Sequence, residues 1–225
     1  MIALSKKVLA FQREFGMQRT MKHAVHRLAE EWYERRLGIR SADYVQLPEL
    51  GIHNKQCKPY APAEHRTLKR VMNSLRINPG RDVFIDFGSG MGRVVVVAAT
   101  YPFKRVIGVE IAPQLDVVAR ENVRRAWRKL KCRNIELLAA DANTYALPDD
   151  VTVIFIYNSF VGEILSKVLD NIRQSLDASP REITLVYANP RHFEVELKTR
   201  DWLVKTRELS APYTGQKVYV CRNTR

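Results

Sequence analysis

The segment Val83-Phe84-Ile85-Asp86-Phe87-Gly88-Ser89-Gly90-Met91-Gly92-Arg93 restricts what this chain can fold into more than any other. An apolar run long enough for one buried strand carries an acid near its end. Glycines then alternate before a run of valines. Glycine is needed where the backbone takes a positive φ or lies close against a ligand. The free N–H groups in the first turn of the helix that follows favour a carboxylate or phosphate nearby. Strand, glycine turn and helix, in that order, open parallel sheets whose ligands sit at the carboxyl ends of the strands.

The rest of the chain repeats this alternation. Strands are expected at Val83–Phe87, Arg105–Glu110, Ile135–Ala139, Val151–Tyr157 and Ile183–Ala188, with helices over 63–75, 92–101, 113–130 and 162–176. Leu203–Leu209 and Lys217–Arg222 are separated by the turn-rich Ala211–Gln216 instead of a helix, which predicts an antiparallel pair at the sheet edge. The expected fold is α/β, a Rossmann-like, doubly wound and mostly parallel seven-stranded sheet with an antiparallel edge strand. Ahead of it, Leu4, Val8, Phe11 and Phe15, then Val25, Leu28, Ala29, Trp32 and Tyr33, predict two helices broken at Gly16 and stopped at Gly38. Pro48, Gly51, Pro59 and Pro62 mark residues 39–62 as an irregular linker. The expected division is a helical extension and linker over 1–59 and a main domain over 60–225.

The net charge of +13 bears on partners. Basic residues occur in nearly every segment, and Lys6, Lys7, Arg13, Arg19, Lys22, Arg27, Arg35 and Arg36 cover much of the N-terminal helices. Two readings compete there. The helices pack on the main domain and cover its cleft, or they offer a basic amphipathic surface to an acidic partner such as a membrane or nucleic acid. Cys57, Cys132 and Cys221 are too far apart for a zinc site and odd in number, so reduced thiols are expected. The five histidines show no metal-ligand spacing. No apolar run approaches the roughly 20 residues that span a bilayer, and the first residues lack the order of a secretory signal. These features together predict a cytoplasmic chain.

The glycine turn also discriminates between ligands. A dinucleotide fingerprint would place a third glycine where Arg93 stands. Asp86 at the strand end suits a cationic ligand better than a pyrophosphate, and S-adenosylmethionine carries a sulfonium and an ammonium. Glu110 ends the second strand, where a carboxylate can accept both ribose hydroxyls. Asp141 follows the third strand, placed to reach an adenine edge together with Ala142. Residues 60–222 thus resemble a class I S-adenosylmethionine-dependent methyltransferase. Asp86, Gly88, Ser89, Gly90 and Gly92 resemble the family's first motif, and Tyr60 stands where related enzymes place an aromatic over the cofactor. Together with that motif, Tyr101–Glu110 is similar to a group of bacterial methyltransferases.

The fourth strand ends in Tyr157-Asn158-Ser159-Phe160. In the resembled family this end faces the methyl donor. The segment is similar to the Asn-Pro-Pro-Tyr/Phe motif of amino-methylating members without its prolines. It is also similar to the Asn-Asn-Phe segment of the non-SET histone lysine methyltransferases, which share Gly-Ser-Gly-x-Gly. The resemblance implies direct methyl displacement to an amine or hydroxyl, a protein lysine included. Asn158 would accept a hydrogen bond from the substrate amine, and Tyr157 or Phe160 would stack on substrate or shield the sulfonium. Against this stand two core aromatics and an asparagine that only caps the next helix. Arg93 is expected to pair with a nearby acid, and His192 is the one histidine near the cleft. The competing reading from another class is a non-catalytic cofactor- or nucleic-acid-binding module that keeps the fold.

Overall fold

The computed structural model describes residues 17–224. The helix expected over Leu4–Phe15 lies outside the described residues. Seven strands, β1 (Val83–Phe87), β2 (Arg105–Glu110), β3 (Ile135–Ala139), β4 (Val151–Tyr157), β5 (Thr184–Ala188), β6 (Leu203–Ser210) and β7 (Lys217–Asn223), form one sheet in the order β3-β2-β1-β4-β5-β7-β6. β1 to β5 pair in parallel, while β7 runs antiparallel between β5 and β6. The order reverses between β1 and β4, which opens a crevice above the carboxyl ends of these strands.

The helices are α1 (Met17–Leu37), α2 (His65–Ser74), α3 (Arg93–Ala99), α4 (Pro113–Ala126), α5 (Gly162–Ala178) and α6 (Phe193–Lys198). β1 is buried along its whole length, and its residues alternate between two cores. Val83, Ile85 and Phe87 pack with Leu165, Val168 and Leu169 of α5 on one face. Phe84 packs on the other face with Leu68 and Met72 of α2 and the valines of α3. Four consecutive valines are poor helix formers. They are helical in α3 because every residue from Arg93 to Ala99 is buried there, and burial outweighs intrinsic preference.

The helices differ from expectation mainly at their ends. α3 stops at Ala99, and a 3-10 turn over Trp127–Lys129 follows α4 where continuous helix is expected. The short α6 carries too few residues to show a period; Phe193 anchors it by stacking on Tyr187 at 4.3 Å. α1 ends at Gly38, whose φ of 79° lets its N–H return to the Glu34 carbonyl. The larger correction concerns which face of α1 docks. Val25, Leu28 and Trp32 point to solvent, whereas His26, Ala29, Glu30, Tyr33 and Glu34 are partly buried. The contacts that hold the helix are ionic, as described below. No described helix is long and apolar enough to cross a membrane.

Candidate active site

The floor of the crevice is the glycine turn. Gly88 and Ser89 donate their N–H groups to the Val109 carbonyl at 2.8 and 3.1 Å, which ties the turn to β2. Gly90 donates to Glu110 Oε2 at 2.7 Å, and Ala112 donates to Oε1 of the same carboxylate at 2.9 Å. Gly88, Gly90 and Gly92 all take positive φ, where side chains are strained. They face different neighbours. A Cβ on Gly88 would strike the Ser159 side chain, and one on Gly90 would strike the Tyr60 ring. Gly92 abuts Ala119 of α4, so it serves helix packing and stands apart from the other predicted cofactor contacts.

Asp86 is 1% exposed at this floor, and its Oδ2 has no hydrogen-bond partner. Burial, and then the neighbouring Glu110 carboxylate, hold its pKa well above the usual carboxylate range. Burial also raises Glu110, although the N–H groups of Ala112 and Gly90 oppose the shift. Two buried acids are thus gathered side by side without a compensating hydrogen bond for one of them. A cleft of about 280 Å³ opens there, bordered by Tyr60, Asp86, Gly88, Ser89, Glu110, Asp141, Ala142, Asn158 and Phe160. Asp141 is exposed at the end of β3 and accepts the Asn143 N–H at 2.9 Å, while Ala142 is buried beside it.

The end of β4 forms the side wall. Asn158 takes a φ of 45°, and its Oδ1 is buried with no partner. It does not cap α5, whose N-cap is Val161. Ser159 donates its hydroxyl to the Phe87 carbonyl at 3.0 Å and so lies over Gly88. Tyr157 donates its hydroxyl to Gln216 Oε1 at 2.7 Å, which brings the β6–β7 turn to the cleft. Phe160 is 4% exposed and packs in the core against α5, bridged through its backbone to Cys57. His192 is exposed at the start of α6 and does not border the cleft.

The roof comes from the residues read as a linker. Val45 and Tyr60 pair through their backbones, and the Tyr60 ring covers Gly90. Tyr60 donates its hydroxyl to the Ser41 carbonyl at 2.8 Å. Ser41 in turn is gripped by α1 and α3. Glu34 accepts the Ser41 N–H and hydroxyl at 2.9 and 2.5 Å, and Arg93 Nε donates to the Ser41 hydroxyl at 2.8 Å. Arg93, 3% exposed, further pairs with Glu30 at 2.5 Å and Glu34 at 3.0 Å and donates to the Ala63 carbonyl at 2.8 Å. Glu30 and Glu34, two of the three α1 acids, are therefore used on the docked face. Behind them His65 donates its backbone N–H to Glu30 at 2.9 Å, while its ring stacks on Tyr33.

The model of the histone methylation protein DOT1 family matches residues 57–218, most of the chain. The chain belongs to this family. A lysine N-methyltransferase of ATP synthase from Xenopus laevis is 41% identical over 75 residues, 33% of this chain and 30% of that protein. The adenine nucleotide translocase lysine N-methyltransferase of Mus musculus is 37% identical over 70 residues, 31% of this chain and 28% of its own length. The chain thus spans under a third of these relatives. Among solved structures, an RNA methyltransferase from Salinibacter ruber in complex with S-adenosyl-L-homocysteine superposes with a TM-score of 0.52 at 22% identity, covering 71% of this chain and 92% of that one. A ribosomal protein L11 methylase from Lactobacillus delbrueckii subsp. bulgaricus gives 0.55 at 13%, covering 74% and 81%. These structures share the class I methyltransferase fold.

In this DOT1 family member, sequence reasoning picked out Tyr60 for the roof but missed how the roof is fastened. Ser41, Glu30 and Glu34 meet Arg93 across 52 to 63 residues, and no local spacing announces such a meeting. Only the buried-type setting of Arg93 among valines signalled that it needed acids. Ser159 was also passed over, although a small side chain is required above Gly88.

Proposed function

We propose that this chain transfers a methyl group from S-adenosylmethionine to a primary amine, with a protein lysine as the acceptor class. The observation that carries the reading is the unpartnered, buried carboxylate oxygen of Asp86, with Glu110 beside it. A cation would hold these two buried acids in their charged form, and among the described residues no ion pair involves either of them. When bound, S-adenosylmethionine supplies a methyl group on a sulfonium already activated for displacement.

The residues fit such a ligand. Asp86 would hold its cationic end. Glu110 spends one lone pair of each oxygen on a backbone N–H and keeps others for ribose hydroxyls. Asp141 and Ala142 would border the adenine, and Tyr60 would cover the ligand above Gly90. Asn158 would accept an N–H of the incoming amine through Oδ1, which aims the nitrogen lone pair at the methyl carbon. Tyr157 is committed to Gln216 and raised by burial, so it walls the cleft and takes no proton; Phe160 walls it likewise.

Lysine as acceptor is supported by the two lysine methyltransferases that share this stretch. A narrower bacterial kinship rests on the motif and Tyr101–Glu110, whereas the two lysine methyltransferases named above are vertebrate. In this reading residues 60–225 are the transferase domain and 1–59 an extension, of which residues 41–59 border the cleft. A cytoplasmic setting accords with the three free thiols.

Calorimetric titration with S-adenosylhomocysteine tests the reading. Micromolar binding is expected, weakened at least about tenfold in Asp86→Ala and in Glu110→Ala. A folded chain that does not bind it overturns the proposal. Asn158→Ala should keep this affinity and lose turnover on a lysine peptide, and full turnover would remove Asn158 from the site.

A further inference from the structure

α1 has an apolar ridge on its outer side that nothing among the described residues covers. Met21, Val25, Leu28 and Trp32 recur at intervals of four, three and four residues, which aligns them on one helix face. They are 63%, 49%, 67% and 51% exposed. The opposite face carries Glu30, Tyr33 and Glu34 against the domain. A helix docked by its ions and showing its hydrophobic residues to water inverts the usual arrangement of a surface helix.

The charges beside the ridge narrow what can cover it. Lys22, Arg27, Arg35 and Arg36 are exposed on the helix, and the carboxylate on that side, Glu31, pairs with Arg27 and Arg35. Glu30 and Glu34 are consumed by Arg93. Four cations against one acid thus flank an apolar strip. Gly38, at the end of α1, lies beside the Lys129 ammonium, so a cation continues onto the neighbouring element, where Arg125 is paired with Glu121. Within the ridge itself Trp32 stands under the Arg36 guanidinium.

We infer that this face of α1 rests on an anionic membrane surface. Such a surface takes both features at once. Lipid phosphates and carboxylates attract the cations, the ridge leaves water for the acyl boundary, and tryptophan and arginine sit at the headgroup level. The alternatives satisfy only half. Nucleic acid would neutralise the cations and leave Leu28 and Val25 in water. A second copy would cover the ridge but bring together two chains of net charge +13. The inference is independent of the methyl-transfer reading, since none of these residues borders the cleft.

The test is co-sedimentation of the full chain with vesicles of phosphatidylcholine alone and of phosphatidylcholine mixed with phosphatidylserine. Pelleting is expected with the mixed vesicles only. The double variant Leu28→Glu/Trp32→Glu should weaken it at least about tenfold, the effect of withdrawing even one large apolar side chain. Moderate salt should reduce binding without abolishing it, because the apolar part is unscreened. Retained S-adenosylhomocysteine affinity, or an unchanged circular dichroism spectrum where the wild type itself does not bind that ligand, shows that the variant is folded. Equal pelleting of variant and wild type, or none by either, overturns the inference. So does an apolar-ridge variant that changes the sedimenting mass in solution, or RNA binding that is lost in Arg35→Glu/Arg36→Glu while vesicles are ignored.

Discussion

The floor and the roof of the cleft face each other across one small space but are held by different means. The floor, Asp86 to Gly92, hangs on backbone hydrogen bonds to β2 and on a Glu110 carboxylate that accepts two N–H groups. The roof, Ser41 to Tyr60, is tied to the end of β4 by backbone bonds at Gln56 and Lys58, but its Ser41 end is fastened by side chains that converge on Arg93. Backbone bonds persist whatever side chains are present, apart from substitutions at positive φ. A side-chain latch fails when one member is lost. The floor should therefore be sensitive to glycine replacement and the roof to charge removal.

Arg93→Ala is the heaviest blow to this arrangement. It leaves Glu30 and Glu34 without their cation in a largely buried setting, and a loss of about 3 kcal/mol is expected in urea unfolding. Arg93→Lys should recover part of it, since one ammonium cannot reach all four partners. Gly90→Ala strikes the floor. It adds a methyl group against the Tyr60 ring at a φ of 53°, and ligand affinity by calorimetry should fall about a hundredfold, near 2.7 kcal/mol. Adding Tyr60→Ala relieves the collision but not the backbone strain, so only partial recovery is expected. Full recovery would mean that the floor tolerates the side chain and only the roof objects.

Acid should divide the two regions. Burial lowers His65 from 6.5 to about 3, so the unfolded chain takes up this proton before the folded one. Its contribution is whole above pH 6.5 and is lost as pH falls from there towards 3, at up to about 1.4 kcal/mol per unit. Asp86 and Glu110 are raised, and the fold keeps protons that the unfolded chain releases. Their contribution is present at low pH and is lost as pH rises above the ordinary values of 3.8 and 4.5. Unfolding measured across pH should show a shallower acid limb in His65→Phe and an unchanged alkaline limb. The mildest change is Tyr60→Phe, which removes one hydrogen bond to Ser41 and is expected to cost about 1 kcal/mol.

The same division explains what the sequence disclosed. β1 to β4 fall where their apolar runs fall, because β1, β2 and β4 are buried parallel strands and the half-exposed edge strand β3 is likewise bounded by turn residues. The glycine turn was readable for a similar reason, since its constraint lies within a few neighbouring residues. The fastening of the roof was not, although Tyr60 itself was. Ser41 means little until Arg93 and Glu34 are beside it, and Pro48 and Pro59 disguised an ordered wall as a linker. Val25, Leu28 and Trp32 misled for another reason. Their period is helical, but periodicity names a face without saying what the face meets.

The position of β7 also bears on when the protein can work. Gln216, which receives the Tyr157 hydroxyl at the cleft, leads into a strand that inserts between β5 and β6. Every other element bordering the cleft precedes it in the chain. As the polypeptide leaves the ribosome, floor, side wall and roof can assemble around an open sheet edge, and the last wall arrives only with the hairpin. The pocket is therefore completed only once β7 has emerged, and a nascent chain that has exposed everything up to β6 still lacks a finished site.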